Sequence, residues 1–205
     1  MAVLNFPEEN AVGTVAWQRR LPGQGPTLAI GSIEIPPDAK VELRIAAVHS
    51  VFENEGGRLS YSISSQPVDL AFLDDLPKDC IECVHLGPCV DSESVRFLAL
   101  LAPGLRRLYV PGTGLSDDSL EHISRLTGLT YLQTYDNVFT DDGVQILARL
   151  QMLESLYLEE ESLTAAAFRF ASALPRLRRL GLQDVPIQPD QLAELRASLP
   201  GVDVG

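Results

Sequence analysis

The chain lacks a basic excess: 16 lysines and arginines stand against 28 aspartates and glutamates, a formal charge of −12 over 205 residues. Nucleic acids and anionic membranes both recruit a cationic footprint, so neither is an expected partner. No apolar run approaches the ~20 residues that a membrane helix needs; the longest, Phe97 to Pro103, is much shorter. The opening segment, Met1 to Glu9, has neither the basic region nor the apolar core of a secretory signal. Cysteine is scarce, and Cys80, Cys83 and Cys89 crowd into one short stretch, which argues against a secreted protein held by disulfides. These absences point to a cytoplasmic protein. Also missing are a P-loop, a G-x-G-x-x-G turn, an H-E-x-x-H pair and a G-x-S-x-G nucleophile turn, so the expectation is that the chain is not an enzyme.

What the chain does have is a period. Leu105, Leu129, Leu153 and Leu177 each stand 24 residues after the last. Around them run Leu105-Leu108-Val110-Thr113-Leu115, Leu129-Leu132-Thr134-Asn137-Phe139, Leu153-Leu156-Leu158-Glu161-Leu163 and Leu177-Leu180-Leu182-Val185-Ile187. A divergent earlier copy reads Ile81-Val84-Leu86-Cys89-Val90, and Val202-Asp203-Val204 opens one more. Self-similarity at a fixed period marks a repeat architecture.

Within each unit the alternating segment predicts a strand whose leucines face inward. A turn follows, then a residue able to cap a helix: Asp91, Ser116, Thr140, Thr164 or Gln188. Asp117-Asp118 and Asp141-Asp142 fall where the helix dipole favours negative charge, and Pro189 suits a first helical position. The apolar triplets Leu120-Ile123-Leu126, Val144-Leu147-Leu150, Phe168-Ala171-Leu174 and Leu192-Leu195-Leu199 predict the helices themselves. One unit cannot bury its own apolar face, so the units must stack. The expected fold is an α/β solenoid, with a parallel sheet on the concave side and helices on the convex side.

The units resemble those of the leucine-rich repeat family, over residues 68–205 in about five repeats. The resemblance implies a module that binds a protein partner through its concave face, without cofactor. It also implies an inward-turned residue at the station of Cys89, Thr113 and Asn137, bonded to the backbone of the bend. Glu161 and Val185 depart from that preference, so no continuous polar ladder is expected through the last two full units. Members of the family include enzyme inhibitors, ubiquitin-ligase recognition subunits and bacterial effectors. No F-box-like helices precede the repeats here, whereas an acidic inhibitor of a basic enzyme stays open.

Residues 1–67 do not repeat. Gly13 to Trp17, Gly31 to Ile35, Val41 to Ala46 and Leu59 to Ile63 have strand character, with loops at Gly23 to Pro26 and Asn54 to Gly57. Pro36-Pro37-Asp38-Ala39 links two of these strands as a turn, and Val68 to Leu76 has the pattern of a half-repeat helix. The expectation is a β-rich cap over the solenoid's open apolar end, the alternative being a small β domain that binds something itself. Asn5-Phe6-Pro7, Gly13-Thr14-Val15 and the Gly31 to Pro37 hairpin resemble the leading segment of some bacterial leucine-rich repeat proteins. At the other end Val202 to Gly205 brings no amphipathic cap, which raises a homodimer joined through that end.

In this register the outward strand positions form three rows. The first is Cys83, Arg107, Tyr131, Ser155 and Arg179; the second His85, Tyr109, Gln133, Tyr157 and Gly181; the third Gly87, Pro111, Tyr135, Glu159 and Gln183. Tyrosine and arginine combine large contact area with a polar tip and are enriched where interfaces gain affinity. The protein-binding candidates are therefore His85, Arg107, Tyr109, Tyr131, Gln133, Tyr135, Tyr157, Glu159, Arg179 and Gln183. Exposed strand positions also favour aromatics for cross-strand packing alone. The ridge Glu159-Glu160-Glu161 is the other possible contact, although such a run is usually a solvated loop.

One chemical alternative concerns Cys80, Cys83, His85 and Cys89, whose types suit zinc. Cys83 and His85 share a strand face, but the register places Cys89 at the inward turn and Cys80 before the strand, so no metal is expected. A Cys83–His85 nucleophile lacks a third group to orient its base. A third option is an oligomerisation scaffold. His49 and His122 have no identifiable partners, and Gly112-Thr113-Gly114 is too short to cradle a phosphate.

Overall fold

The computed structural model describes residues 2–6, 13–17, 27–28, 31–35, 39–45, 48–53, 59–63, 68–77, 79–88, 90–112 and 114–205. Its strands are β1 (Ala2–Asn5), β2 (Gly13–Trp17), β3 (Thr27–Leu28), β4 (Ser32–Ile35), β5 (Val41–Ile45), β6 (Val48–Glu53), β7 (Leu59–Ile63), β8 (Ile81–Leu86), β9 (Arg107–Pro111), β10 (Tyr131–Tyr135), β11 (Ser155–Glu159), β12 (Arg179–Gly181) and β13 (Asp203–Val204). Nine of them form one sheet in the order β13-β12-β11-β10-β9-β8-β5-β2-β3. From β13 to β5 all neighbours are parallel, while β2 and β3 are antiparallel. The register runs Cys83–Arg107–Tyr131–Ser155–Arg179–Asp203, so each unit's strand lies directly beside the same positions of the next.

The reason is in the core. Leu105, Leu129, Leu153 and Leu177 are all buried, as are Leu108, Leu132, Leu156 and Leu180, stacked rung on rung. A one-residue slip would turn each set outward, so burial fixes the register. The expected α/β solenoid is the fold observed.

Its convex side differs from expectation in kind. Among the described residues, only Asp117–Ile123 (α1) and Pro189–Ser198 (α2) are α-helical; Leu70–Asp75, Ser94–Leu101, Gly143–Arg149 and Ala165–Ala173 are 3₁₀ segments. Apolar residues three apart are eclipsed on a 3₁₀ helix. Val95-Leu98-Leu101, Val144-Leu147-Leu150 and Phe168-Ala171-Leu174 have that spacing and are buried. So does Leu120-Ile123-Leu126, whose first two members lie on α1, so the spacing permits the 3₁₀ form without selecting it. Leu192-Leu195-Leu199 spaces three then four, the α period, and lies along α2.

The caps fall largely where the sequence places them. Asp91 accepts from the Ser94 amide at 2.7 Å, which holds its carboxyl below the usual range. Thr140 accepts from Gly143 N at 3.0 Å and Thr164 from Ala166 N at 3.2 Å. Ser116 is the exception and makes no side-chain cap. Asp117 does more than bias a dipole: its carboxylate takes the Thr140 amide at 2.9 Å and hydroxyl at 2.7 Å. Asp141 grips Thr164 in the same way. Each acid thus ties its own turn to the next.

Val41, Leu43 and Ile45 on β5 join the same core cluster as the leucines of the repeats. Strands β1 and β4 pair in a separate ribbon, so the strands flanking Pro36–Pro37 lie in different sheets and make no hairpin. The expected loops at 23–26 and 54–57 lie outside the described residues. Along β13, the Arg196 guanidinium donates to the Val204 carbonyl at 3.1 and 2.8 Å. None of the helices among the described residues is long and apolar enough to cross a membrane.

Candidate functional site

Alternation on the parallel strands carries the named side chains to the sheet's outer face, and the register sets them side by side. His85 and Tyr109 stack with ring centroids 4.1 Å apart and planes 1° from parallel. Tyr109 meets Tyr131 at 4.9 Å, and Tyr131 meets Tyr157 at 5.5 Å. Tyr131 belongs by position to the first row. Gln133, short of aromatic bulk, leaves a gap in the second, and the Tyr131 ring fills it, donating its hydroxyl to Gln133 Oε1 at 2.8 Å. Gln133 Nε2 in turn donates to Glu159 at 3.4 Å. Burial, then the neighbouring tyrosines, push the Tyr131 phenol above its ordinary pKa.

The ribbon ends at Gly181. A Cβ there would lie 2.1 Å from the Tyr157 ring, so the glycine gives the ring its place on the sheet. Tyr109, Tyr131, Tyr157, Arg107, Gln133 and Glu159 are half-buried; Tyr135, Arg179 and Gln183 are exposed. Gln183 falls beyond the end of β12, so the third row has no strand position there. Each further aromatic contact contributes roughly 0.5–1.5 kcal/mol beyond area burial, and stacking also holds the rings in one arrangement.

Two residues that sequence reasoning missed extend these rows. Glu42 pairs in register with Cys83 and Arg44 with His85, through a bulge that slips the register after Val41. The alternation Val41-Glu42-Leu43-Arg44-Ile45 marks both as outward, but only the strand order makes them neighbours of the first repeat. Arg44 Nε and Nη2 reach Glu42 Oε1 at 3.0 and 2.9 Å, and His85 Nε2 lies 3.1 Å from the same oxygen. Burial, followed by the Arg44 charge, lowers the His85 pKa despite Glu42.

Cys83 departs from expectation. It holds an outward position yet is 1% exposed, and burial pushes its thiol up to about 12. A thiol so shielded is a poor nucleophile. Cys80 turns away, its sulfur donating to the Pro77 carbonyl at 3.2 Å; Cys89 and Thr113 lie outside the described residues.

The polar station also needs correction. Asn137 turns inward as expected: its Oδ1 accepts from Leu115 N at 3.1 Å, and Nδ2 donates to the Val110 and Tyr135 carbonyls at 3.1 and 3.0 Å. The next unit continues the contact from one residue earlier. Glu160, not Glu161, enters the core, and it accepts from Asn137 N at 2.6 Å and Nδ2 at 3.1 Å. The equivalent Gly112, Asp136 and Asp184 have left-handed backbones with φ of 50°, 54° and 64°; Glu160 does not, which frees its side chain to turn inward. Fully buried, it cannot belong to a solvated acidic ridge.

A parallel sheet of leucine-lined strands, backed by short helical returns at one fixed interval, defines a leucine-rich repeat solenoid. Similar solved structures include a leucine-rich repeat protein of Leptospira interrogans, 20% identical over 61% of this chain and 30% of that one, with a TM-score of 0.43. Two internalins of Listeria monocytogenes are also similar. One is 20% identical over 68% of this chain and 44% of its own, TM-score 0.46. The other, internalin C2, is 20% identical over 68% and 66%, TM-score 0.45. The matched region spans less than two thirds of each of those chains. Neither protein-family profiles nor curated protein sequences match the chain.

Proposed function

We infer that the chain is a non-enzymatic, cytoplasmic recognition module that binds a protein partner through the concave face of its sheet. The observation that carries this is the ribbon His85–Tyr109–Tyr131–Tyr157, four rings in continuous contact on the outer face. Ordered aromatics offer contact area at low entropic cost, because their rotamers are already fixed. Arg44, Arg107 and Arg179 flank the ribbon with cations, in a chain whose net charge is −12. A partner segment with apolar anchors and carboxylates fits this surface.

The test places a photo-crosslinking residue at Tyr135, beside the ribbon, or at exposed Gln151, on the opposite side of the repeats, in host lysate. Crosslinking to one protein from position 135 alone is expected, abolished by Tyr109→Ala with Tyr157→Ala while circular dichroism stays unchanged. Capture from position 151 alone would move the interface to the convex side. Homodimerisation through the β13 end is a separate proposal, and light scattering at high micromolar concentration decides it.

A further inference from the structure

One cluster, which shares His85 with the aromatic ribbon, combines three metal-ligating groups. Glu42, Cys83 and His85 each present a ligand atom, and these atoms lie within 4.8 Å of one another. We propose that they form a site for one zinc-class divalent ion, with carboxylate, thiolate and imidazole as three ligands and water as the fourth. Zinc accepts all three donor types, at about 2.0–2.3 Å. Such bonds place tetrahedral ligands roughly 3.5 Å apart, so closure around an ion needs side-chain adjustment of about an ångström.

The fold builds this site. The bulge beside Glu82 makes Cys83 the register partner of Glu42, and His85 follows two residues on, facing the same way. Stacking on Tyr109 fixes the imidazole plane, and Nε2 already lies 3.1 Å from the carboxylate. A second layer surrounds the ligands. Arg44 holds the carboxylate. Arg107, the register partner of Cys83, carries a buried Nε–H with no acceptor; burial raises the Cys83 thiol, and the Arg107 charge offsets part of that rise. An outer partner such as Arg44 orients the ligand it bonds and favours its ionised form. The carboxylate and thiolate together cancel the ion's double charge, so the two arginines face no net cation. Sequence reasoning set a metal aside because Cys80 and Cys89 fall elsewhere; the third ligand comes from a strand outside the repeats.

Binding replaces the proton on the Cys83 sulfur with the ion and releases that proton to solvent. Affinity therefore rises about tenfold per pH unit while the free thiol is protonated. Cobalt(II) titration of the reduced full chain tests the site, because thiolate ligation produces an intense ligand-to-metal charge-transfer band. The expected band saturates at a single equivalent, is displaced by zinc, persists in Cys80→Ser and Cys89→Ser and vanishes in Cys83→Ser. Glu42→Gln retains every cysteine and should weaken cobalt binding by about tenfold or more. No band in the native chain, survival of the band in Cys83→Ser, its loss in Cys80→Ser or Cys89→Ser, or undiminished affinity in Glu42→Gln would each overturn the proposal. If Cys83→Ser proves unfolded by circular dichroism, the Glu42→Gln affinity decides.

Discussion

The junctions between β9, β10, β11 and β12 are copies of one another; the junction between β5 and β8 is not. In the first set, residue pairs with its own equivalent one unit on, leucine over leucine inside and aromatic near aromatic outside. At β5 two unrelated strands meet with a slip in register, and an acid faces a thiol while an arginine faces a histidine. Repetition makes rows, which suit an extended contact. Irregularity makes clusters, which suit a point-like ligand. The contrast lives only on the outer face, because Val41, Leu43 and Ile45 continue the same core inward.

The largest test of that last statement is a pair of core truncations. Leu132 and Leu43 are both fully buried, and each change to alanine should cost about 2–5 kcal/mol. If β5 belongs to the repeat core, both variants shift a single denaturant transition by similar amounts. A separate early transition in Leu43→Ala, with the main one unmoved, would show that the first strands fold apart from the repeats.

Within the repeats, copies are not perfect either, and Gly143 shows where. A Cβ at this position would lie 2.1 Å from the Asp117 carboxyl, the group that grips Thr140. Ala167 holds the corresponding place in the next unit, but there Thr164 bonds the amide of Ala166, one residue nearer, and the local path differs. Gly143→Ala should therefore destabilise by about 1–3 kcal/mol through overpacking, although alanine favours helix over glycine. With Asp117→Ala in the background the cost should shrink toward zero. An equal cost in both backgrounds, measured by urea unfolding, would remove the clash from the explanation.

The repeats and their register were legible because inward leucines leave a periodic mark that burial enforces. The 3₁₀ character of the returns was not, because Leu120-Ile123-Leu126 has the same three-residue spacing as Val144-Leu147-Leu150, yet Leu120 and Ile123 lie on α1. The aromatic rows followed from alternation alone, but Tyr131 crossing to the second row did not, since that depends on the room left by Gln133. Glu42 and Arg44 were invisible for a different reason. Strands far apart in sequence carry no shared period, so nothing in the chain announces that β5 lies against β8.

Glu160 provides the smallest effect and the sharpest comparison between adjacent units. Burial raises its pKa above the ordinary 4.5, opposed by hydrogen bonds from Asn137. A folded state that holds a proton more tightly than the unfolded one loses stability as that proton leaves. The contribution is therefore fully present below about pH 4.5 and declines as pH rises through the raised value. Glu160→Gln cannot ionise. It keeps one acceptor for the Asn137 amide but sets its own NH₂ against the second donor, so at low pH it should be the less stable chain. The deficit should narrow steadily toward neutral pH, by about 1.4 kcal/mol for each unit of elevation. Urea midpoints of the two chains across that range measure the difference. A gap that is flat, or that widens with pH, would mean that Glu160 is held ionised by Asn137, with burial the weaker influence.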